Sequence, residues 1–288
     1  MSTAILGRAE AWPAPAKLNL NLHIVGRRED GYHLLQSAMQ FIDLSDELQF
    51  VGRPAGVIER VRGPNAVPAE SDLVVRAARK LAEQSGRNLG VGIDLAKRIP
   101  MQAGLGGGSS DAATALVALN QLWGLHLSTD DLVEIGVGLG ADVPLFIRAH
   151  AAWVEGIGER LTPVDYPESI FVLIKPSVSV STAVIFQAPE LTRNSPITTI
   201  RAFLAGGGRN DCTSTVRRRY PEVAEALDWL SKFAPARLTG TGACVFAAVA
   251  NMESAKRVIA QVPARWSGFV VRGLNRSPLT ERLIQERS

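Results

Sequence analysis

The stretch RIPMQAGLGGGSSDAATALVALNQLWG, Arg98 to Gly124, decides how the rest of the chain is read. A short strand, VGIDLAKRIP (Val91–Pro100), is ended by Pro100 and runs straight into it. Gly104, Gly106, Gly107 and Gly108 then stand directly before Ser109, Ser110 and a long apolar run. Glycine costs conformational entropy, so a cluster marks backbone that needs positive φ or must approach something closely. The spacing after it predicts a helix from about Ser109 to Trp123, stopped by Gly124. Strand, glycine loop and helix N-terminus together make an anion site. Free N–H groups point outward, and the helix dipole adds about half a positive charge. The serine hydroxyls can cap the helix, touch a phosphate or help hold Mg²⁺.

Better-known glycine loops do not fit. A Walker A loop needs a lysine after its last glycine, and none follows here. A dinucleotide fingerprint begins correctly at Gly104-Leu105-Gly106, but its third glycine position holds Ser109. The protein-kinase loop lies between two strands, whereas this one opens a helix. A tight strand-to-helix link remains the plain alternative, although four glycines exceed what a turn needs.

Working outward, SDLVVRAARKLAEQSG reads as a helix capped by Ser71 or Asp72 and ended by Gly86. STDDLVEIGVGLG reads as another capped helix, and ADVPLFIRAHAAWVEGIGERL as a return to strands. Near the start, KLNLNLHIV alternates strictly. Leu18, Leu20, Leu22 and Ile24 face one way, and Lys17, Asn19, Asn21 and His23 the other, as in a half-buried strand. Asp30-Gly31 marks the turn that follows, and HLLQSAMQFIDLSDELQFV reads as one or two more strands. After a loop-like LTPVDYPES near residues 160–168 come a strand (SIFVLIKP), helix-rich segments and a closing strand–helix–strand alternation. That pattern suggests a small α+β second domain, dividing the chain into residues 1–163 and 164–288. Gly206–Gly208 reads as a mobile loop, with Asn210 and Asp211 as helix caps.

The 288 residues are enough for a large core, and 46% hydrophobic with 20% charged is an ordinary globular mixture. A net charge of +3 suits an anionic ligand and is too small to argue for nucleic acid. Cys212 and Cys244 show no CxxC spacing, and the four histidines form no HExxH, so neither disulfide framework nor metal signature is present. The opening MSTAILGRAEAWPAP lacks a sustained apolar segment, and the apolar run near ACVFAAVA is far short of a bilayer span. The chain reads as cytoplasmic, without membrane or nucleic-acid partners, and as a monomer or weak homodimer.

PMQAGLGGGSSDAA resembles the central motif of the GHMP kinases, in which a Gly/Ser loop wraps ATP phosphates. Three further motifs narrow the resemblance: PAKLNLNLHIVGRREDGYHLLQSAMQFIDLSDEL, GADVPLFI and LTGTGACVFA. Together they are similar to the 4-diphosphocytidyl-2-C-methyl-D-erythritol kinase branch, from about Pro15 to about Pro278. The resemblance implies a two-domain α+β fold. Its nucleotide domain would be ribosomal-protein-S5-domain-2-like and its second domain ferredoxin-like. It also implies ATP and Mg²⁺ as cofactors and phosphorylation of the 2-hydroxyl of a cytidine diphosphate-linked alcohol. Homoserine- and mevalonate-type kinases, or a silent ligand-sensing member, are the alternatives.

Phosphoryl transfer to a hydroxyl needs charge neutralisation, alignment and a group to receive or orient the proton. Lys17 and Asp142 are the candidates, and the resemblance implies that they form the catalytic pair. Turn chemistry alone also accounts for Asp142 between Gly140 and Pro144, as a strand edge does for Lys17. ATP would meet Lys97, Pro100, Met101, Gln102, Ala103, Gly104, Leu105, Gly106, Gly107, Gly108, Ser109 and Ser110, with Mg²⁺ held by the phosphates and Ser110. Substrate would meet Asn19, Tyr32, His33, Thr182, Phe186, Gly240 and Thr241. The turn DGYH matches the family's cytidine-binding turn, and Phe186 its aromatic on the far side of the base. The chain departs from the family where asparagine commonly precedes the leucine of NL[IV]xRAA: here Asp72 stands, and it is left out of the site.

Overall fold

The computed structural model describes residues 6–206 and 208–288; residues 1–5 of the opening stretch and Gly207 of the expected mobile loop lie outside them. In chain order the first half holds β1 (Trp12–Asn19), β2 (His23–Arg27), β3 (His33–Gly52), β4 (Ile58–Arg62), α1 (Leu73–Ser85), β5 (Val91–Ala96), α2 (Gly107–Leu122), α3 (Thr129–Val137), α4 (Val143–Arg148), β6 (Ala152–Gly156) and β7 (Arg160–Pro163). The second half holds β8 (Ile170–Lys175), α5 (Thr182–Gln187), α6 (Ile200–Leu204), α7 (Thr213–Arg219), α8 (Pro221–Leu230), β9 (Ala236–Leu238), β10 (Val245–Val249), α9 (Met252–Ile259), β11 (Ser267–Leu274) and α10 (Pro278–Arg287).

The 20-residue strand β3 is the spine. It pairs antiparallel with β1, β2, β5 and β6 and, near Phe41 and Ile42, with β11. Strand β11 then continues through β8 and β10 to β9, an order of fourth, first, third, second among the strands of the second half. All those pairings are antiparallel, which is the ferredoxin-like βαββαβ arrangement that the resemblance implied. Two large apolar cores follow this division. One gathers Trp12, Phe41, Phe50, Leu81, Leu116 and Phe146, the other Ile24, Ile174, Val216, Leu230 and Val245. The last helix crosses the boundary expected near residue 163. Its Leu279 joins the first core, and Arg282 lies 4.4 Å over the Trp12 ring.

Helix α2 begins two residues earlier than the spacing predicts, at Gly107, with Gly106 at the N-cap in the left-handed region (φ 71°). Small residues let it run through the middle of the first core: Ser110 to Asn120 are all buried. Asp72 caps α1, its carboxylate accepting from the Val74 amide. Two expectations need correction. Residues 143–148 form a helix rather than a strand, because Pro144 sits in its first turn, where a fixed φ and a missing N–H cost nothing. The alternating segment after Pro15 is not half-buried: Lys17, Asn19, Asn21 and His23 are as buried as their apolar neighbours, and the strand breaks between Asn19 and His23. Loops of the second half cover the polar side. Asn19 takes the Thr239 hydroxyl as acceptor for its amide N–H, and Leu22 N donates to the Arg209 carbonyl.

Candidate active site

A cavity of about 580 Å³ runs along the glycine loop. Lys17, at 4% exposure, sits at its foot on β1. Its ammonium has three partners: the Asn19 side-chain oxygen, the Gly104 carbonyl at 3.3 Å and the Asp142 carboxylate at 3.4 Å. Asp142 arrives from the N-terminus of α4, 125 positions later in the chain (142 − 17). Asn19 in turn donates to Ser37 Oγ at 2.8 Å, and Ser37 donates to the Asn21 carbonyl at 2.6 Å. This buried chain fixes the lysine rotamer, and a three-donor ammonium with three acceptors is an immobile point charge.

The glycine loop is pinned from both sides. Lys17 N donates to the Leu105 carbonyl (3.0 Å), Cys244 N to the Ala103 carbonyl (3.2 Å) and Thr239 Oγ1 to the Gly104 carbonyl (3.3 Å). Gly104 has φ +75°, and a Cβ there would lie 2.3 Å from the Thr239 carbonyl oxygen. Gly106 has φ +71°, and its Cβ would lie 2.9 Å from the Phe146 ring and 3.1 Å from the Lys17 side chain. Those two glycines therefore serve chain packing. At Gly108 a Cβ would meet only Leu73 at 3.5 Å, so that exposed residue, which lines the cavity, has room beside it. The first intrahelical bond is Ser110 N to the Gly106 carbonyl, which leaves the N–H groups of Gly107 to Ser109 without helical acceptors.

The residues expected to meet ATP fall mostly on this cavity: Lys97, Pro100 to Gly108 and Ser109 line it. Ser110 does not. It is fully buried, and its hydroxyl has no partner among the described residues. Lys97 is engaged by Asp46 and Asp111. Burial works against its charge, but the Asp111 and Asp46 carboxylates raise its pKa overall. Asp46 also accepts the Arg98 and Ile99 amides, so it ties the strand exit before the loop to β3. Beyond the loop the cavity is lined by Pro64, Val67, Leu73 and Leu95, an apolar recess, with Asp72 ion-paired to Arg60 at its edge.

On the other side, Asn19, Thr182, Phe186, Gly240 and Thr241 also line the cavity, with Thr182 and Thr241 hydroxyls 3.0 Å apart. His33 and Phe186 are brought together, ring centroids 5.0 Å apart at 33°. Tyr32, on the same turn, is 61% exposed. Neither Tyr32 nor His33 lines the main cavity. Several residues that shape the site carried no signal in the sequence alone. Asn210 and Asp211, read as helix caps, cap no helix: α7 has Cys212 at its N-cap, Asn210 accepts the Cys212 amide in the turn before it, and the Asn210 NH₂ braces the Leu238 and Gly240 carbonyls. Asp211 is buried and accepts from Ile24 N and Ser195. Thr239, Ser37 and Asp46 all lie inside quoted motifs, but the partners that define them, Gly104 and Asn19 for Thr239, Asn19 and Asn21 for Ser37 and Lys97 for Asp46, are brought to them only by the fold.

Comparison with known proteins places this geometry. The GHMP kinases N terminal domain family matches residues 72–150, and the GHMP kinases C terminal family residues 190–268. The 4-diphosphocytidyl-2-C-methyl-D-erythritol kinase of Alkalilimnicola ehrlichii is 54% identical over 96% of this chain and 94% of its own length. That of Ectopseudomonas mendocina is 55% identical over 94% and 93%. The chain belongs to the 4-diphosphocytidyl-2-C-methyl-D-erythritol kinase family of GHMP kinases. It is an ATP-dependent small-molecule kinase. A crystal structure of 4-(cytidine 5'-diphospho)-2C-methyl-D-erythritol kinase superposes with a TM-score of 0.77 at 33% identity, covering 91% of this chain and 99% of that one. The mevalonate kinase of Methanococcus jannaschii shares the fold, with a TM-score of 0.66 at 14% identity over 91% of this chain and 97% of its own. No helix among the described residues is long and apolar enough to cross a membrane.

Proposed function

We propose that the chain moves the γ-phosphoryl group of ATP to the 2-hydroxyl of 4-diphosphocytidyl-2-C-methyl-D-erythritol, releasing ADP. The observation that carries this reading is the Lys17–Asp142 pair, 3.4 Å apart in a cavity that the glycine loop and Phe186 also line, with the His33 ring 5.0 Å from that of Phe186. The free N–H groups of Gly107 to Ser109 and the α2 dipole hold the triphosphate, and the recess around Leu73 and Leu95 takes the adenine. Tyr32, His33 and Phe186 take the cytosine, and Asn19, Thr182, Gly240 and Thr241 flank the alcohol and its diphosphate. Asp142 orients the attacking hydroxyl and receives its proton. Lys17 stabilises the charge that develops on the transferring oxygens.

Mg²⁺, when bound with ATP, would supply positive charge that neutralises the phosphates. Among the described residues no cluster of three or more His, Cys, Asp and Glu suits a metal. The donor set therefore fits an ion held mainly by the triphosphate, the usual preference of Mg²⁺, with Ser109 the hydroxyl on the cavity wall. Ser110, whose hydroxyl is sealed in the core, is set aside as a ligand. The test is product analysis of the purified chain with Mg·ATP and, separately, 4-diphosphocytidyl-2-C-methyl-D-erythritol, homoserine and mevalonate. Phosphate on the cytidine-linked alcohol alone is expected. Phosphorylation of homoserine or mevalonate in preference would overturn the reading.

A further inference from the structure

Arg193 lies beyond the end of α5 and spends its guanidinium on the aromatic wall. Nη1 donates to the carbonyls of Leu191 (3.1 Å) and Pro189 (3.4 Å), and Nη2 to those of Ala188 (2.6 Å) and Phe186 (3.0 Å). Nε donates to Nε2 of His33 at 3.0 Å. A guanidinium is always charged and has only donors to offer. Nε2 of His33 must therefore present a lone pair, and a neutral imidazole with a free Nε2 carries its proton on Nδ1. A protonated ring would set two N–H groups against each other. Burial, then the charges of Arg193 and Arg27, pull the His33 pKa down, which agrees with a neutral ring. Among the described residues Nδ1 has no protein partner, so its proton is available to a ligand. The same guanidinium holds the Phe186 carbonyl and thereby the end of the helix that presents the phenyl ring.

We propose that Arg193 is a positioning residue for base recognition, locking His33 as the Nδ1–H tautomer so that it meets the pyrimidine as a hydrogen-bond donor, with Phe186 held against it. His33 would then recognise an acceptor on the base, such as cytosine N3 or O2, and not its amino group. The inference rests on the reading that His33 and Phe186 form the base subsite.

The test is long-range ¹H–¹⁵N NMR of the full chain labelled at its four histidines, with His33 assigned from the His33→Gln spectrum. The expected result is a protonated Nδ1 and a pyridine-like Nε2 near neutral pH. Cytidine 5′-diphosphate should shift Nδ1, and ADP at the same concentration should not. A proton on Nε2, a charged ring, or a Nδ1 signal indifferent to cytidine 5′-diphosphate would overturn the proposal. Kinetics supply the second arm. Arg193→Met should raise KM for the cytidine-linked substrate about tenfold or more, leave KM for ATP within about twofold, and mix the His33 tautomers. Arg193→Lys, which keeps a donor for His33, should recover part of that loss. Equal changes in both KM values with the tautomer intact would assign Arg193 to scaffolding alone and refute the proposal. The NMR arm uses the unaltered protein, so a poorly folding variant does not blunt it. Loss of the proposed function would show separately, as absence of any phosphorylation of the cytidine-linked alcohol by the unaltered chain.

Discussion

Replacing Asp142 with asparagine keeps the size of the side chain and removes its charge and its basicity. The variant should fold, because Lys17 retains two of its three partners, Asn19 and the Gly104 carbonyl. Two unit charges 3.4 Å apart interact by about 5 kcal/mol at an effective dielectric near 20 and by about 1 kcal/mol in water. Lys17 is at the buried limit while the Asp142 side chain is 30% exposed, so the pair falls between those values. Loss of a general base independently costs about 10²- to 10⁴-fold, or about 2.7–5.5 kcal/mol. The general-base route sets the expected fall in kcat at about a hundredfold or more, and the ion pair alone would give at least about fivefold. The contact matters mainly while the hydroxyl is reacting, so KM for either substrate should change only about threefold. ADP release, with ATP and the cytidine-linked alcohol varied in turn, measures all three constants. Lys17→Met should lose a similar factor, and the double variant should lose less than the product of the single losses, because the two groups act as one unit. Asp142→Asn with kcat within about threefold of the unaltered chain would remove the residue from the mechanism. Fully multiplicative losses would reject the coupling.

The glycine loop can be tested at Gly108, where the added methyl of Gly108→Ala meets only Leu73; KM for ATP should rise several-fold with an unchanged melting temperature, and an unaltered KM would place the phosphates elsewhere. Gly104→Ala, by contrast, combines φ +75° with a 2.3 Å clash against backbone, so it should lower the melting temperature by several degrees before it affects ligand; a normal melting curve would contradict the packing described. Tyr32→Ala should raise KM for the cytidine-linked substrate about tenfold to a hundredfold, the worth of one aromatic stack, and leave KM for ATP nearly unchanged. Among the described residues neither ring nitrogen of His23 has a partner, and burial, opposed by Asp211 and aided by Arg209, lowers its pKa below 6.5. The unfolded chain thus binds a proton that the folded chain resists, so its effect on stability is absent above about pH 6.5 and grows as pH falls toward the folded value. His23→Phe should flatten the decline in melting temperature between about pH 7 and pH 5, and an identical decline would clear His23 of the effect.

What the sequence carried, it carried through local chemistry. The strand, glycine loop and helix of residues 91–122 were legible because each part has its own signal: a proline end, a glycine cluster and an apolar run. The cap of α1 at Asp72 and that of α3 at Ser128, whose hydroxyl and Asp131 partner close a capping box, were legible for the same reason. Helix α4 is not legible, because six residues show too little periodicity to separate helix from strand, and Pro144 suits a turn as well as a helix start. The C-terminal helix α10 lies beyond the elements that the sequence pattern predicts. Its packing on β1 depends on Leu279 and Arg282 meeting partners some 270 residues away, which no window of sequence displays.

The reading of β1 shows where such inference stops. Alternation separates two faces of a strand but does not say which face water touches. Lys17, Asn19 and Asn21 alternate with leucines, and an amphipathic strand with one wet face is the ordinary explanation. In the folded chain the polar face is also covered, by Thr239 and Arg209 from the second half, so its polar groups turn to partners inside the protein, although among the described residues the His23 ring and the Asn21 amide nitrogen have none. Lys17 finds Asp142, Asn19 finds Ser37, and Asn21 accepts the Ala38 amide through its side-chain oxygen. A buried lysine needs a carboxylate, and the carboxylate it draws in lines the same cavity as the glycine loop. The closing of the two halves over β1 is therefore what converts a strand with a polar stripe into the buried floor of the candidate site. That step depends on contacts between residues more than a hundred positions apart, and only the whole set of motifs, taken in order along the chain, pointed to it.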